Sequence, residues 1–146
     1  MITISTPIEK KREEFNYENT NEKKSVHIIF GIYDLFVEPM AICVLSLLYY
    51  NQELKFVIHV ITTSIREQNK TRLRNLAKQN NIRIIIHFID ENIFRQFPST
   101  LSYPSAIYNR LLIPMILNPR IDRALYLDAD IMCFGDISKL FSLNIQ

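Results

Sequence analysis

Glycine is nearly missing from this chain: 2 residues in 146, against roughly 7% in an average protein. That scarcity excludes the Gly-rich phosphate loop and the Gly-x-Gly-x-x-Gly dinucleotide turn, both of which need several glycines where backbone closes on phosphate. Tryptophan is absent, and the two cysteines, Cys43 and Cys133, are too few for a disulfide framework and lack metal-ligand spacing. Reduced thiols in a cytosolic protein are the reading that follows. A charge excess is missing too: Lys+Arg 17 against Asp+Glu 15 leaves +2, too little for a nucleic-acid binder driven by bulk charge. No apolar run reaches the ~20 residues of a membrane-spanning helix; the longest, Val37 to Tyr50, is interrupted by Glu38 and Pro39. The N-terminal MITISTPIEKKREEF has no apolar stretch of signal-peptide length. These gaps lead to the expectation of a cytoplasmic protein.

What is present is an ordinary globular composition, 48% hydrophobic and 22% charged, at a length that suits one domain. Residues 1–25 are polar, charge-mixed and without periodicity, which predicts a flexible, loosely docked arm. Residues 26–146 form the second unit. Apolar, β-branched runs at Val26–Ile32, Lys55–Ile61, Ile82–Ile89 and Arg123–Leu127 predict strands. Between them, Glu38–Tyr50 reads as a helix that is apolar almost all round, with Pro39 in its first turn. Ile65–Asn80 reads as an amphipathic helix capped by Thr62, Thr63 or Ser64. A loop with a short helix fills Asp90–Pro104, Ser105 caps a helix from Ala106 to Leu112, and Asp136–Leu143 forms a short terminal helix. The alternation of strand and helix predicts an α/β open parallel sheet with helices on both faces.

The sharpest motif is Tyr126-Leu127-Asp128-Ala129-Asp130-Ile131. Asp128 and Asp130 directly follow an apolar strand, at the carboxyl end where open α/β sheets bind ligands. If the chain stays extended there, residues two apart point to one side, and two carboxylates converge where a hard divalent cation would relieve their repulsion. Mg²⁺ or Mn²⁺ so held bridges naturally to a diphosphate. The plainer alternative is a pair of turn-forming or helix-capping aspartates.

With Ala106-Ile107-Tyr108-Asn109-Arg110-Leu111-Leu112-Ile113 upstream, this block resembles the family 8 glycosyltransferases, in particular those of bacterial lipopolysaccharide core synthesis. Ile29-Phe30-Gly31-Ile32, the apolar Ile84–Phe88 and Phe97-Pro98-Ser99-Thr100 carry the same resemblance, which runs from about Val26 to the end. It implies a GT-A fold, truncated after the Asp-x-Asp strand. It also implies metal-assisted, retaining transfer of glucose or galactose from UDP-glucose or UDP-galactose to a lipopolysaccharide core acceptor. Asp128 and Asp130 would hold the metal, with Asp128 also near the ribose, and Arg110 would face the donor's phosphates or sugar. Gly31, Ile32, Asp34 and Phe36 would line the nucleoside site, Phe36 by stacking on the base. Two departures qualify this. Where the family carries an aspartate and, two residues on, an asparagine, this chain has Tyr33 and Leu35, with Asp34 between. Either Asp34 substitutes in a changed loop, or donor affinity is weakened. The family also continues into a second half with a late metal-binding histidine beside Lys-Pro-Trp, for which Gln146 leaves no counterpart. The alternative is an inactive remnant that at most binds metal and nucleotide.

Weaker candidates remain. His27, His59 and His87 each fall inside an apolar strand without metal spacing and read as partly buried or edge histidines. The basic face Arg66, Lys70, Arg72, Arg74 and Lys78 reads as a solvated helix surface, with peripheral contact at the inner membrane as the minor reading. Cys133 reads as packing, because hard cations prefer oxygen. Ser105 and Tyr108 have cap and core roles as the simpler choice.

Overall fold

The computed structural model of the chain describes residues 7–19, 25–98 and 105–145, with the side chain of Ser105 excluded. Ser99, Thr100, the start of the expected arm and the Ser105 cap therefore lie outside the described residues. Among the described residues there are five strands, β1 (Glu9–Asn16), β2 (Ser25–Gly31), β3 (Lys55–Thr62), β4 (Arg83–Ile89) and β5 (Ala124–Tyr126). The helices are α1 (Val37–Tyr50), α2 (Glu67–Asn80) and the single turn α3 (Ile113–Ile116). The sheet order is β1-β4-β3-β2-β5. β2, β3, β4 and β5 are mutually parallel, and β1 runs antiparallel along β4. The α/β open sheet is thus as the strand–helix rhythm predicts, but mixed rather than wholly parallel.

The central strands read as unbroken apolar runs because both faces are covered. Period-two alternation divides them. Val26, Ile28, Phe30, Phe56, Ile58, Val60, Ile84 and Ile86 pack against Met40, Val44 and Leu47 of α1 and Leu73, Leu76 and Ala77 of α2. Ile29, Ile61 and Ile89 face the other way, onto Phe94, Leu112 and Ile116. The second face is covered by a 3₁₀ segment (Ser105–Leu112) running into α3, whose Pro114 sits in the first turn, where a missing N–H costs nothing. Helical segments on both faces, as expected, come from this division.

Two local expectations are corrected. Glu9–Asn16, read as part of a flexible arm, is a sheet strand. Its pattern lacks alternation because main-chain pairing and ion pairs hold it, with Phe15 its one buried residue. Glu14 pairs with Arg83 (2.8 Å) and Glu13 with Lys70 (3.0 Å). Secondly, α2 begins at Glu67, and no side chain of Thr62, Thr63 or Ser64 caps it. The Thr62 hydroxyl donates to the Ser64 carbonyl instead (3.1 Å). The helix entry is held from a distance: Asp34, after β2, accepts the Arg66 backbone N–H at 2.8 Å and the Asn69 amide at 2.9 Å.

The basic face of α2 is largely neutralised within the chain. Arg66 pairs with Asp34, Lys70 with Glu13 and Glu67, Arg72 with Glu38, and Arg74 lies over the Phe15 ring. No helix among the described residues is long and apolar enough to cross a membrane.

Candidate functional site

Counted along the chain, the parallel strands lie third, second, first, fourth across the sheet. The direction of building therefore reverses between β2 and β5, and open α/β sheets bind ligands in the crevice beyond the carboxyl ends at such a switch point. Gly31 ends β2 at that crevice and Ile32 follows it, Asp128 follows β5 by two residues, and the 3₁₀ segment brings Arg110 to the same edge. Of the sequence-predicted set, Gly31, Ile32, Arg110 and Asp128 are thus drawn from three elements to one edge.

Packing beneath the site explains Gly31. A Cβ there would stand 2.9 Å from the Cβ of Asn109 and 3.5 Å from the Tyr126 hydroxyl. Asn109 is buried, and its amide donates to the Ile61 carbonyl (3.1 Å), which also accepts the Ile32 N–H (3.0 Å). This clamp ties the Arg110 segment to the ends of β2 and β3. Arg110 Nε donates to its own Ile107 carbonyl (3.0 Å), and Nη2 donates to Asp128 Oδ1 (3.1 Å). The guanidinium lies 4.6 Å from the centre of the Tyr126 ring. Burial holds the Tyr126 phenol above its ordinary value, with Arg110 opposing and Asp128 reinforcing.

The chain does not stay extended through the Asp-x-Asp block. β5 ends at Tyr126, and Ala129–Asp130 form a turn on the buried Ala129. The Asp128 side chain is 57% exposed and engaged by Arg110. Asp130 is exposed, and no hydrogen bond or ion pair among the described residues engages its carboxylate. Among the described residues no group of three or more His, Cys, Asp or Glu is placed to hold a metal ion. Two exposed carboxylates nonetheless suit Mg²⁺ or Mn²⁺, which commonly take one or two carboxylates and complete their shell with water and substrate phosphate.

The loop after β2 has a structural task. Asp34 is fully engaged by Arg66 and Asn69, and those contacts outweigh burial to hold its carboxyl below the usual range. Tyr33 and Phe36 meet edge-on at 4.9 Å, and Leu35 points into solvent. Tyr108 packs with Phe94 and Phe97, its hydroxyl on the Pro98 carbonyl (2.7 Å), a core role.

Asn109, Ser46 and Asn51 were not singled out by sequence reasoning. Buried Ser46 accepts the Cys133 N–H (2.9 Å), and buried Asn51 accepts the Ile137 N–H (2.7 Å) and donates to the Gly135 carbonyl (3.2 Å). Together they fasten the chain just past Asp130 to α1. Their one signal is a polar residue within or ending an otherwise apolar helix. Both cysteines are free, and burial pushes the Cys43 thiol up to about 11.

The family model described as "Glycosyl transferase family 8" matches residues 27–146. A lipopolysaccharide 1,3-galactosyltransferase of Salmonella typhimurium is 33% identical over 131 residues, covering 90% of this chain and 39% of the relative. A lipopolysaccharide 1,2-glucosyltransferase of Escherichia coli is 27% identical over 136 residues, with coverage of 93% and 40%. The chain therefore spans about two fifths of the length of these curated relatives. Among solved structures, the galactosyltransferase LgtC, in complex with donor and acceptor sugar analogs, superposes with a TM-score of 0.69 at 23% identity, covering 83% of this chain and 44% of that one. The bifunctional glycosyltransferase WbbM gives 0.63 at 20% identity, covering 90% and 23%. These structural likenesses show the fold, that of the GT-A enzymes over about half their length.

Proposed function

The chain belongs to glycosyltransferase family 8, and from that premise we propose that its site binds the diphosphate of a UDP-sugar together with Mg²⁺ or Mn²⁺. The observation that carries this is the contact of Arg110 with Asp128 at the switch point between β2 and β5, with Asp130 two residues on. Asp128 and Asp130 would hold the ion, which when bound supplies positive charge to the diphosphate as the sugar leaves. The remaining work falls to the chain. The Arg110 guanidinium, always charged and shaped for phosphate oxygens, exchanges part of its contact with Asp128 for the diphosphate. Tyr126 backs the guanidinium with its ring face. Gly31, by having no side chain, lets Asn109 close beneath, and Phe36 offers a ring to the base. Asp34 fixes the loop that carries Phe36 rather than reading the base directly, because both its oxygens are already engaged.

The full reading is retaining transfer of glucose or galactose to a lipopolysaccharide core acceptor; the names of the relatives support the sugars and the lipopolysaccharide, and the family resemblance supports the rest. Titration of UDP into the chain with Mn²⁺ tests the core of the proposal. Asp128→Asn and Asp130→Asn keep shape, remove charge and should each abolish Mn²⁺-dependent binding; equal binding by all three proteins defeats it.

A second reading is binding without transfer, in which the exposed Met132, Phe134 and Leu143 beyond β5 take no part in holding an acceptor. An assay with UDP-glucose or UDP-galactose, Mn²⁺ and a truncated core acceptor separates the two. This reading expects no turnover above the rate without protein.

A further inference from the structure

Three histidines cross the sheet on the face opposite α1 and α2. His27 Nδ1 lies 3.0 Å from His59 Nε2, His59 Nδ1 lies 2.9 Å from His87 Nε2, and His87 Nδ1 lies 2.7 Å from Glu9 Oε1. The row passes through β2, β3, β4 and β1, stepping two residues along between each pair of parallel strands, because His27 is in register with Val57 and His59 with Ile85. His59 and His87 are buried, and His27 is half-buried. Beside them is a cavity of about 230 Å³, which Arg12, Arg83 and Arg120 also line.

The direction of this row follows from chemistry. An ionised carboxylate only accepts hydrogen bonds, so His87 presents Nδ1–H to Glu9 and leaves Nε2 bare. His59 must then donate Nδ1–H to His87, and His27 must donate Nδ1–H to His59. Three neutral rings therefore share one tautomer, with a single lone pair left at His27 Nε2. One added proton is accommodated with every contact kept. If it enters at His27 Nε2 and is passed along, His27 and His59 end as Nε2–H tautomers and His87 as an imidazolium on the Glu9 carboxylate. A second proton has no such place, since two neighbouring imidazoliums set N–H against N–H.

We propose that Glu9, His87, His59 and His27 form a one-proton relay that latches the edge strand β1 to the sheet in an acid-sensitive way. Glu9 is the only residue of the row in β1, so losing the row's order frees that strand's end. The charged surroundings agree. Arg12 of β1 binds both Glu9 oxygens (2.9 Å each), Arg83 of β4 is paired with Glu14, Glu18 and Asp122 act on His27, and Arg120 stands at the cavity wall. Burial is the main cause that holds all three imidazoles below their ordinary value, His59 to about 3.

Imidazole nitrogen NMR and amide exchange of the full chain, from neutral pH down to about pH 4, test the relay. At neutral pH all three rings should carry hydrogen on Nδ1 with Nε2 bare, and on acidification they should change at a common midpoint. Amide protection in β1 should hold while the row takes up its first proton and fall about tenfold per pH unit below that common midpoint, where a second proton breaks the row, while β3 stays protected. An Nε2–H at neutral pH, three separate midpoints, or β1 protection flat with pH would each overturn the proposal. Glu9→Gln, whose amide both donates and accepts, should mix the tautomers. Glu14→Gln should loosen β1 at every pH with the slope unchanged; a slope lost in this variant places the sensor in the Glu14–Arg83 pair and refutes the relay.

Discussion

Gly31 shows how much of the site rests on one missing side chain. Gly31→Ala would set a methyl 2.9 Å from the Asn109 Cβ, so the Arg110 segment or β2 must shift. Overpacking of this kind costs about 1–3 kcal/mol. A lowered thermal midpoint together with weaker UDP binding is the expected outcome, and an unchanged protein would show the clamp to be slack. Arg110 offers a sharper chemical contrast. Arg110→Ala removes charge-assisted bonds worth roughly 1.5–3 kcal/mol, about 10- to 150-fold in Kd for UDP with Mn²⁺. Arg110→Lys should recover only part, because an ammonium lacks the planar fork. At the first-strand loop, Tyr33→Asp with Leu35→Asn should strengthen UDP binding several-fold to about tenfold, one or two good hydrogen bonds; isothermal titration reads all of these. The meeting of Arg110 and Asp128 at the sheet end was legible in the sequence, where both fall in motifs. The role of Asn109 was not legible, because it comes from the Ile61 carbonyl contributed by a distant strand.

Elements divide in the same manner. β2, β3, β4, α1 and α2 stand out in the sequence because burial on one or both faces writes a period into it. β1 leaves no such trace. Its stability comes from partners contributed by β4 and α2: Arg83, Lys70, His87 and the main chain of β4. Charged side chains also keep an edge strand from pairing with other chains, so the polarity that suggested an arm is what a sheet edge calls for. Phe15, buried and capped by Arg74, is its one apolar anchor. Phe15→Ala should cost roughly 3 kcal/mol and expose β1 to proteolysis ahead of the other strands. Denaturant unfolding with limited digestion checks both. The entry of α2 was misread for a related reason: its partner Asp34 lies more than thirty residues earlier in the chain, beyond the reach of any local capping rule.

For the molecule as a whole, acid is the informative variable. Burial keeps the three histidines neutral in the fold, whereas in the unfolded chain they titrate near 6.5. Below that pH the unfolded state binds more protons, so stability is full above about 6.5 and is lost progressively as pH falls toward the folded values. Glu9 acts in the same direction at lower pH: burial raises its carboxyl, and bonds from Arg12 and His87 more than reverse that. Thermal midpoints measured across this window should decline steadily with acid, and a flat profile would contradict the neutral row. The sheet topology carries one more consequence. β5 spans three half-buried residues, and its pairing of Ile29 with Tyr126 joins parts of the chain far apart in sequence. Contacts of such high order close late in folding and open early. The crevice holding Arg110 and Asp128 therefore completes itself last, and a fluctuation that detaches β5 can dismantle it while the sheet behind remains folded.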